Sequence, residues 1–146
     1  MSCIFVLQFQ GMHLKKNYTY TFKVDKNSID GLDHVNNVVY LDWAQIVAEK
    51  HWNQLSEKLI NNNYVWVVKR HEIDYFFPVF LNDEITLNTY IGESYGVKSE
   101  RYVNIIKDEK IVCSVKTIWC LLDKFTMKPV RIPIEISSLL DSNKLT

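Results

Sequence analysis

One stretch of this chain decides most of what it can fold into. From Asn37 onward the apolar residues Val39, Trp43, Ile46, Val47 and Leu55 recur at three- and four-residue steps. Tyr40, Ala44, Ala48 and Trp52 widen that stripe until little polar surface remains. A helix apolar on nearly every side belongs inside a fold. Asn61, Asn62 and Asn63 mark its end. What surrounds it reads as strands. Residues 18–24 (YTYTFKV) alternate ahead of a polar stretch, and residues 64–77 form a long run that stops at Pro78. Residues 84–93 alternate, with Ile85, Leu87 and Ile91 on one face and Thr86 and Asn88 on the other. A turn over residues 92–96 leads to a strand at 98–107. A second turn, Asp108-Glu109-Lys110, leads to a strand at 111–122 that places Ile111, Cys113, Val115, Trp119 and Leu121 on one face. Pro129 and Pro133 precede a short Ile/Leu tail.

The order is thus β-loop-α-β-β-β-β, an α+β arrangement. Four consecutive strands can pair as antiparallel neighbours, and the lone helix must be covered by their sheet. The economical solution is a curved antiparallel sheet wrapped around one long central helix. A sheet this small leaves edges and uncovered surface, which favours pairing with a second copy, as a homodimer or homotetramer.

Composition narrows the function classes. The chain has 146 residues, and 17 Lys/Arg balance 17 Asp/Glu. With no net charge, a nucleic-acid surface is not expected. No apolar run approaches the ~18 residues of a membrane span. Only four glycines and three prolines interrupt the chain, which suits long elements joined by short turns. Cys3, Cys113 and Cys120 are odd in number and without a C-x-x-C pair. They read as reduced thiols in a cytoplasmic setting, with no metal or cofactor implied. Residues 1–17 are set apart as an extension and 18–146 as a single domain. Within the extension, the apolar run at residues 3–9 lacks the charge and cleavage site of a signal peptide. It is either an extra strand or a stretch ahead of a start at Met12.

The chemistry concentrates in Asp30-Gly31-Leu32-Asp33-His34-Val35-Asn36-Asn37, directly before the helix. A helix start offers unpaired N–H groups and the positive end of its dipole, a place for a developing oxyanion. A carboxylate beside it can attack a carbonyl or activate water. The same residue types also cap helices and make turns, so spacing alone leaves both readings open.

The segment I-D-G-L-D-H-V-N-N-V-V-Y-L-D-W, residues 29–43, resembles the active-site signature of hot-dog-fold acyl-CoA thioesterases of the 4-hydroxybenzoyl-CoA thioesterase-like branch. The later H-E-I-D-Y-F-F-P, residues 71–78, and the Asn82-Asp83 turn fit the same pattern. The resemblance spans roughly Tyr18 to Ile136. It implies a hot-dog fold and hydrolysis of acyl-CoA, or acyl-carrier-protein, thioesters. Asp30 aligns with the catalytic carboxylate, nucleophile or general base. The Asn37 N–H aligns with the donor that polarises the thioester carbonyl. His34 and Asn36 would shape the loop and contact the thioester or pantetheine end.

Lys98-Ser99 matches a basic-Ser pair that contacts nucleotide phosphates in some relatives, or else is a solvated strand end. A local patch of Lys98 and Arg101 would suffice for CoA phosphates despite the neutral total. Asp33 stands where relatives usually carry Gly, and Ser28 where some carry an additional acid. Trp43, Trp66, Phe76 and Phe77 are candidates to line an acyl tunnel, or to be plain core or interface. Two alternatives keep the scaffold but change the function. One is an enoyl-CoA hydratase or dehydratase, although the chain lacks the D-x-N-P-x-H spacing of such relatives. The other is a non-catalytic acyl-thioester binding module.

Overall fold

The computed structural model describes residues 16–144. The run at residues 3–9, Met12 and Cys3 lie outside them. Strand β1 (Asn17–Lys23) is followed by a short 3-10 turn (Lys26–Ser28), helix α1 (Asn37–Leu55) and strands β2 (Tyr64–Tyr75), β3 (Glu84–Tyr95), β4 (Lys98–Lys107) and β5 (Lys110–Asp123). Helix α2 (Ile134–Ser142) ends the order. The five strands form one antiparallel sheet in the order β1-β3-β4-β5-β2, curved around α1. The arrangement matches the expected one, with one change in connectivity. β2 and β3 are consecutive but not neighbours, because β2 runs at the far edge beside β5 while β3 lies between β1 and β4.

Alternation builds the inner face. Leu87, Thr89 and Ile91 of β3, Ser99, Arg101, Val103 and Ile105 of β4, and Cys113, Val115 and Thr117 of β5 are all buried. Against them α1 lays Tyr40, Trp43, Ala44, Val47, Ala48 and His51, a stripe at steps of three and four. Val38 and Ile46 stay exposed, so the helix is covered on one face and not all round. It ends at Leu55, the last residue of the apolar pattern, and not at the asparagine run at 61–63. Ser56 stops it by donating both its N–H and its Oγ–H to the Trp52 carbonyl, at 2.8 and 2.7 Å.

The buried residues fall into two clusters. One, under the first half of α1, is built on Val24, Val35, Trp43, Val47, Ile85 and Val103 among others. The second, under its last turns, joins Ile91 and Leu121 to Ile136 and Leu140 of α2, with Trp52 and Trp66 packed against them. The Ile/Leu tail is therefore a helix, whose periodicity at 136 and 140 is the signal that it docks.

Three local readings change. β2 stops at Tyr75, because the Phe76 and Phe77 N–H groups both turn to the Val112 carbonyl, at 2.9 and 3.2 Å. Ile111, at the start of β5, is exposed. The turn placed over residues 92–96 shrinks to Gly96-Val97, with Gly96 at φ 61. Gly92 lies inside β3, where the register with β4 shifts between Ile91 and Ser94. A Cβ there would stand 2.6 Å from Tyr102 Cε2 and 3.2 Å from Glu100 Cβ. Tyr102 cannot swing away freely, since its ring stacks on Tyr90 at 5.2 Å. Gly92→Ala is expected to lower unfolding stability by about 1–3 kcal/mol, the range for overpacking a well-packed site. Urea denaturation checks this, with an unchanged midpoint as the contrary result.

Candidate active site

Residues 28–36 form a small hairpin that carries the chain into α1. The Asp30 N–H donates to the His34 carbonyl at 2.8 Å, the Asp33 N–H to the Asp30 carbonyl at 3.2 Å, and the Asn36 N–H to the Ser28 carbonyl at 2.9 Å. Asp33 takes the left-handed conformation at φ 64, which Asp tolerates better than most residues. The turn therefore survives the replacement of Gly. The Asp30 carboxylate is oriented by its own loop. Its Oδ1 accepts the Leu32 N–H at 2.8 Å and the His34 N–H at 3.3 Å.

The hairpin is tied to the segment after β2. Val35 donates its N–H to the Val79 carbonyl at 2.8 Å, and His34 bridges to Phe80. The His34 ring stands edge-on to Phe80 at 5.2 Å. Asn36 is the N-cap, its Oδ1 accepting the Val38 N–H at 3.2 Å. Asn37 is the first helical residue, where an amide N–H has no partner within its own helix. No acidic side chain lies in the first turn to offset the positive helix end.

Two tyrosines hold this helix start, Tyr40 from the helix stripe and Tyr75, which had no expected role. Tyr75, at the end of β2, donates its hydroxyl to the Asn37 carbonyl at 3.0 Å. Its ring meets that of buried Tyr40 edge-on at 5.3 Å. Burial above all pushes the Tyr40 phenol up to about 12, with Cys113, Tyr75 and Asp30 adding to it against a hydrogen bond at Val79. It stays protonated at neutral pH. Tyr75 sits inside the H-E-I-D-Y-F-F-P motif, and that position was its only signal.

Asp30, His34, Asn36 and Asn37 thus come together at one end of α1. Lys98 and Ser99 do not join them. Strand alternation sends the two to opposite faces. Ser99 is buried on the inner face, where its hydroxyl accepts from Ser94 Oγ at 2.9 Å. It lines a cavity of about 250 Å³ with Ala48, Trp52, Trp66, Arg101 and Trp119. These contacts lie three helical turns from Asn37, about 16 Å at 1.5 Å per residue.

Arg101 is also not the surface cation expected, because it is only 6% exposed and points inward. Its register position, in phase with Val103 and Ile105, was the signal. Trp43 is core, with Phe22 and Tyr40 against its ring. Phe76 and Phe77 are exposed beyond β2, and Trp66 alone of the four aromatic candidates lines the cavity. Among the described residues no group of three or more His, Cys, Asp or Glu is placed to hold a metal ion. No helix among them is long and apolar enough to cross a membrane.

Arg101 Nη1 donates to His51 Nδ1 at 2.8 Å and to Thr89 Oγ1 at 3.3 Å. Since guanidinium only donates, His51 accepts at Nδ1 and carries its proton on Nε2. Burial first and the Arg101 charge second push the His51 pKa down to about 3.

Together, the sheet order, the single central helix and the loop at its start define a hot-dog domain. The chain matches the family model of the thioesterase-like superfamily over residues 24–140, and it belongs to that family. Solved structures agree on the fold. A predicted thioesterase from Bacillus stearothermophilus superposes with a TM-score of 0.80 at 18% identity, over 89% of this chain and 98% of the other. A Staphylococcus aureus hypothetical protein solved in complex with CoA gives 0.79 at 16% identity, over 90% and 88%. An acyl-ACP thioesterase from Bacteroides thetaiotaomicron gives 0.77 at 20% identity, over 88% of this chain and 54% of that one. No curated protein matches the sequence.

His51 makes stability pH-dependent in a defined direction. Unfolded, it takes up a proton below its ordinary value of 6.5, whereas folded it resists to about 3. The unfolded state binds more protons in that window, so stability is lost as pH falls from 6.5 toward 3. His51→Gln retains an acceptor for Arg101 but does not titrate. Urea midpoints measured at pH 7 and pH 4.5 should then differ less for the variant than for the wild type. An equal fall in both would show that His51 carries no such linkage.

Proposed function

We propose that the protein hydrolyses an acyl-CoA thioester to a free acid and CoA thiol. Asp30 acts as nucleophile or as general base toward water, and the Asn37 N–H polarises the thioester carbonyl. The observation that carries this is a carboxylate oriented by two backbone N–H groups, directly before a helix start whose first turn holds no acid. Membership of the thioesterase-like superfamily supports the reaction class. In the general-base form, Asp30 takes a proton from water as its oxygen bonds to the acyl carbon. Negative charge gathers on the carbonyl oxygen, at the positive end of α1. Collapse of that intermediate breaks the C–S bond, and the proton returns to the departing sulfur. His34 and Asn36 hold the loop and helix start in place. CoA as carrier draws support from the Staphylococcus aureus protein solved with it. Lys98 remains the cation for its phosphates, whereas Ser99 belongs to the inner cavity.

The working form in this reading is a homodimer. Among the described residues no strand pairs with the outer edge of β2, 12 residues long, a template for a second copy. Two β2 edges meeting antiparallel about a two-fold axis set the Tyr75 end of one beside the Tyr64 end of the other. A cytoplasmic setting fits the free thiols of Cys113 and Cys120.

A thiol-release assay over short, long and aromatic acyl-CoAs tests the reading. Asp30→Asn should keep its circular dichroism spectrum and lose at least ~10²-fold in turnover, the scale of a positioned base. Full activity in that variant would overturn the assignment.

A further inference from the structure

The two apolar clusters under α1 are separated by a polar seam. Thr89 of β3, Arg101 of β4 and Thr117 of β5 lie on the inner face, and His51 reaches down from the helix. His71 of β2 continues the row, its Nδ1 2.8 Å from Thr117 Oγ1. Nothing about the fold requires this seam, since apolar side chains of similar size would fill the space at less cost.

Arg101 makes no ion pair among the described residues. Its two neighbours are a neutral imidazole and a hydroxyl. A buried guanidinium without a counter-charge is costly unless something of opposite charge meets it. Beside it lies the 250 Å³ cavity, and Trp119, which lines the same cavity, has a buried Nε1–H with no acceptor among the described residues. Among the described residues, a cation without an anionic partner and an indole donor without an acceptor thus line one half-open cavity. Trp52 and Trp66 supply flat apolar walls, and Glu49 stands exposed at the rim.

We infer that this cavity is a carboxylate-recognition pocket, and that the acyl group it takes ends in a carboxylate received by Arg101. The inference rests on the proposed hydrolysis and on the β2-paired dimer. Tyr75 is bonded to the Asn37 carbonyl, so pairing of two β2 edges brings the helix start of one copy toward the Tyr64 end of the other. Tyr64 is itself part of the cavity wall. The thioester then sits at one copy's Asp30 loop while the distal end of its acyl group enters the other copy's cavity.

Matched substrates separate charge from length: adipoyl-CoA against hexanoyl-CoA, and 4-carboxybenzoyl-CoA against 4-methylbenzoyl-CoA. The wild type should favour the carboxylated member of at least one pair by tenfold or more in kcat/KM, the scale of a charged hydrogen bond. Arg101→Met keeps the volume without the charge. It should erase that preference and leave hydrolysis of the neutral substrates within about threefold, while Arg101→Lys restores part of it. Equal use of both members by the wild type, or a preference that survives Arg101→Met, overturns the inference.

A second measurement does not depend on turnover. Adipate, but not adipamide, should quench the tryptophan fluorescence of the wild type saturably, and Arg101→Met should abolish the effect. If no acyl-CoA is hydrolysed, the proposed reaction fails. The titration then decides the pocket alone, and an absence of saturable adipate binding rejects it.

Discussion

The structure depends on burying one face of α1 against one face of the sheet. Tyr40, Trp43, Ala44, Val47, Ala48 and His51 form that face, and the inward residues of β3, β4 and β5 receive it. Burying such a stripe stabilises by roughly 1.5–3 kcal/mol for each large side chain. Once the helix is seated its two ends have fixed surroundings, and each acquires a different character. The start meets the Asp30 hairpin and Tyr75. The last turns meet α2 and the cavity.

The start is built from hydrogen bonds rather than apolar contacts. Asn36 caps, Asp30 closes its own turn, and Tyr75 clasps the Asn37 carbonyl from the end of the edge strand. Each of these restricts the direction from which the chain enters α1. An oriented carboxylate and the free end of a helix are thereby held together, with no charged partner among the described residues to neutralise either. Such preorganisation matters when charge develops only in passing, because the donors need not move to meet it.

The loop was legible because its residues are close in sequence and local hydrogen bonding dictates their geometry. Asp33 in the left-handed region illustrates this, since its tolerance there is intrinsic to the residue type. The helix and the strand order along the chain were legible from periodicity. Sheet order was not, because the pattern along a strand does not say which strand it pairs with, and only three-dimensional closure sends β2 to the far edge. The helix ends at Leu55, where Ser56 caps it with its side chain on the Trp52 carbonyl, before the asparagine run at 61–63 that was expected to mark its end. Arg101 was taken for a surface cation on charge alone, whereas its alternation with Ser99, Val103 and Ile105 put it inside. Where residue type and register conflict in a strand, register determines the face.

That conflict is resolved across the inner face as a whole. Thr89, Arg101 and Thr117 occupy positions where the neighbouring rows carry Leu87, Val103 and Val115. The helix answers with His51 at the step after Val47 and Ala48. Because the imidazole is neutral it satisfies a guanidinium hydrogen bond without cancelling its charge. An acidic residue in its place would have closed the pair and left a stable, inert core. A neutral acceptor holds Arg101 in position and keeps its charge available to the cavity, so the seam separates positioning from neutralisation. The helix start achieves the same separation with the opposite sign, where Asp30 is positioned by N–H groups and not by a cation. Both ends of α1 thus hold a charged group in place through neutral partners, and neither group is neutralised by a counter-charge among the described residues.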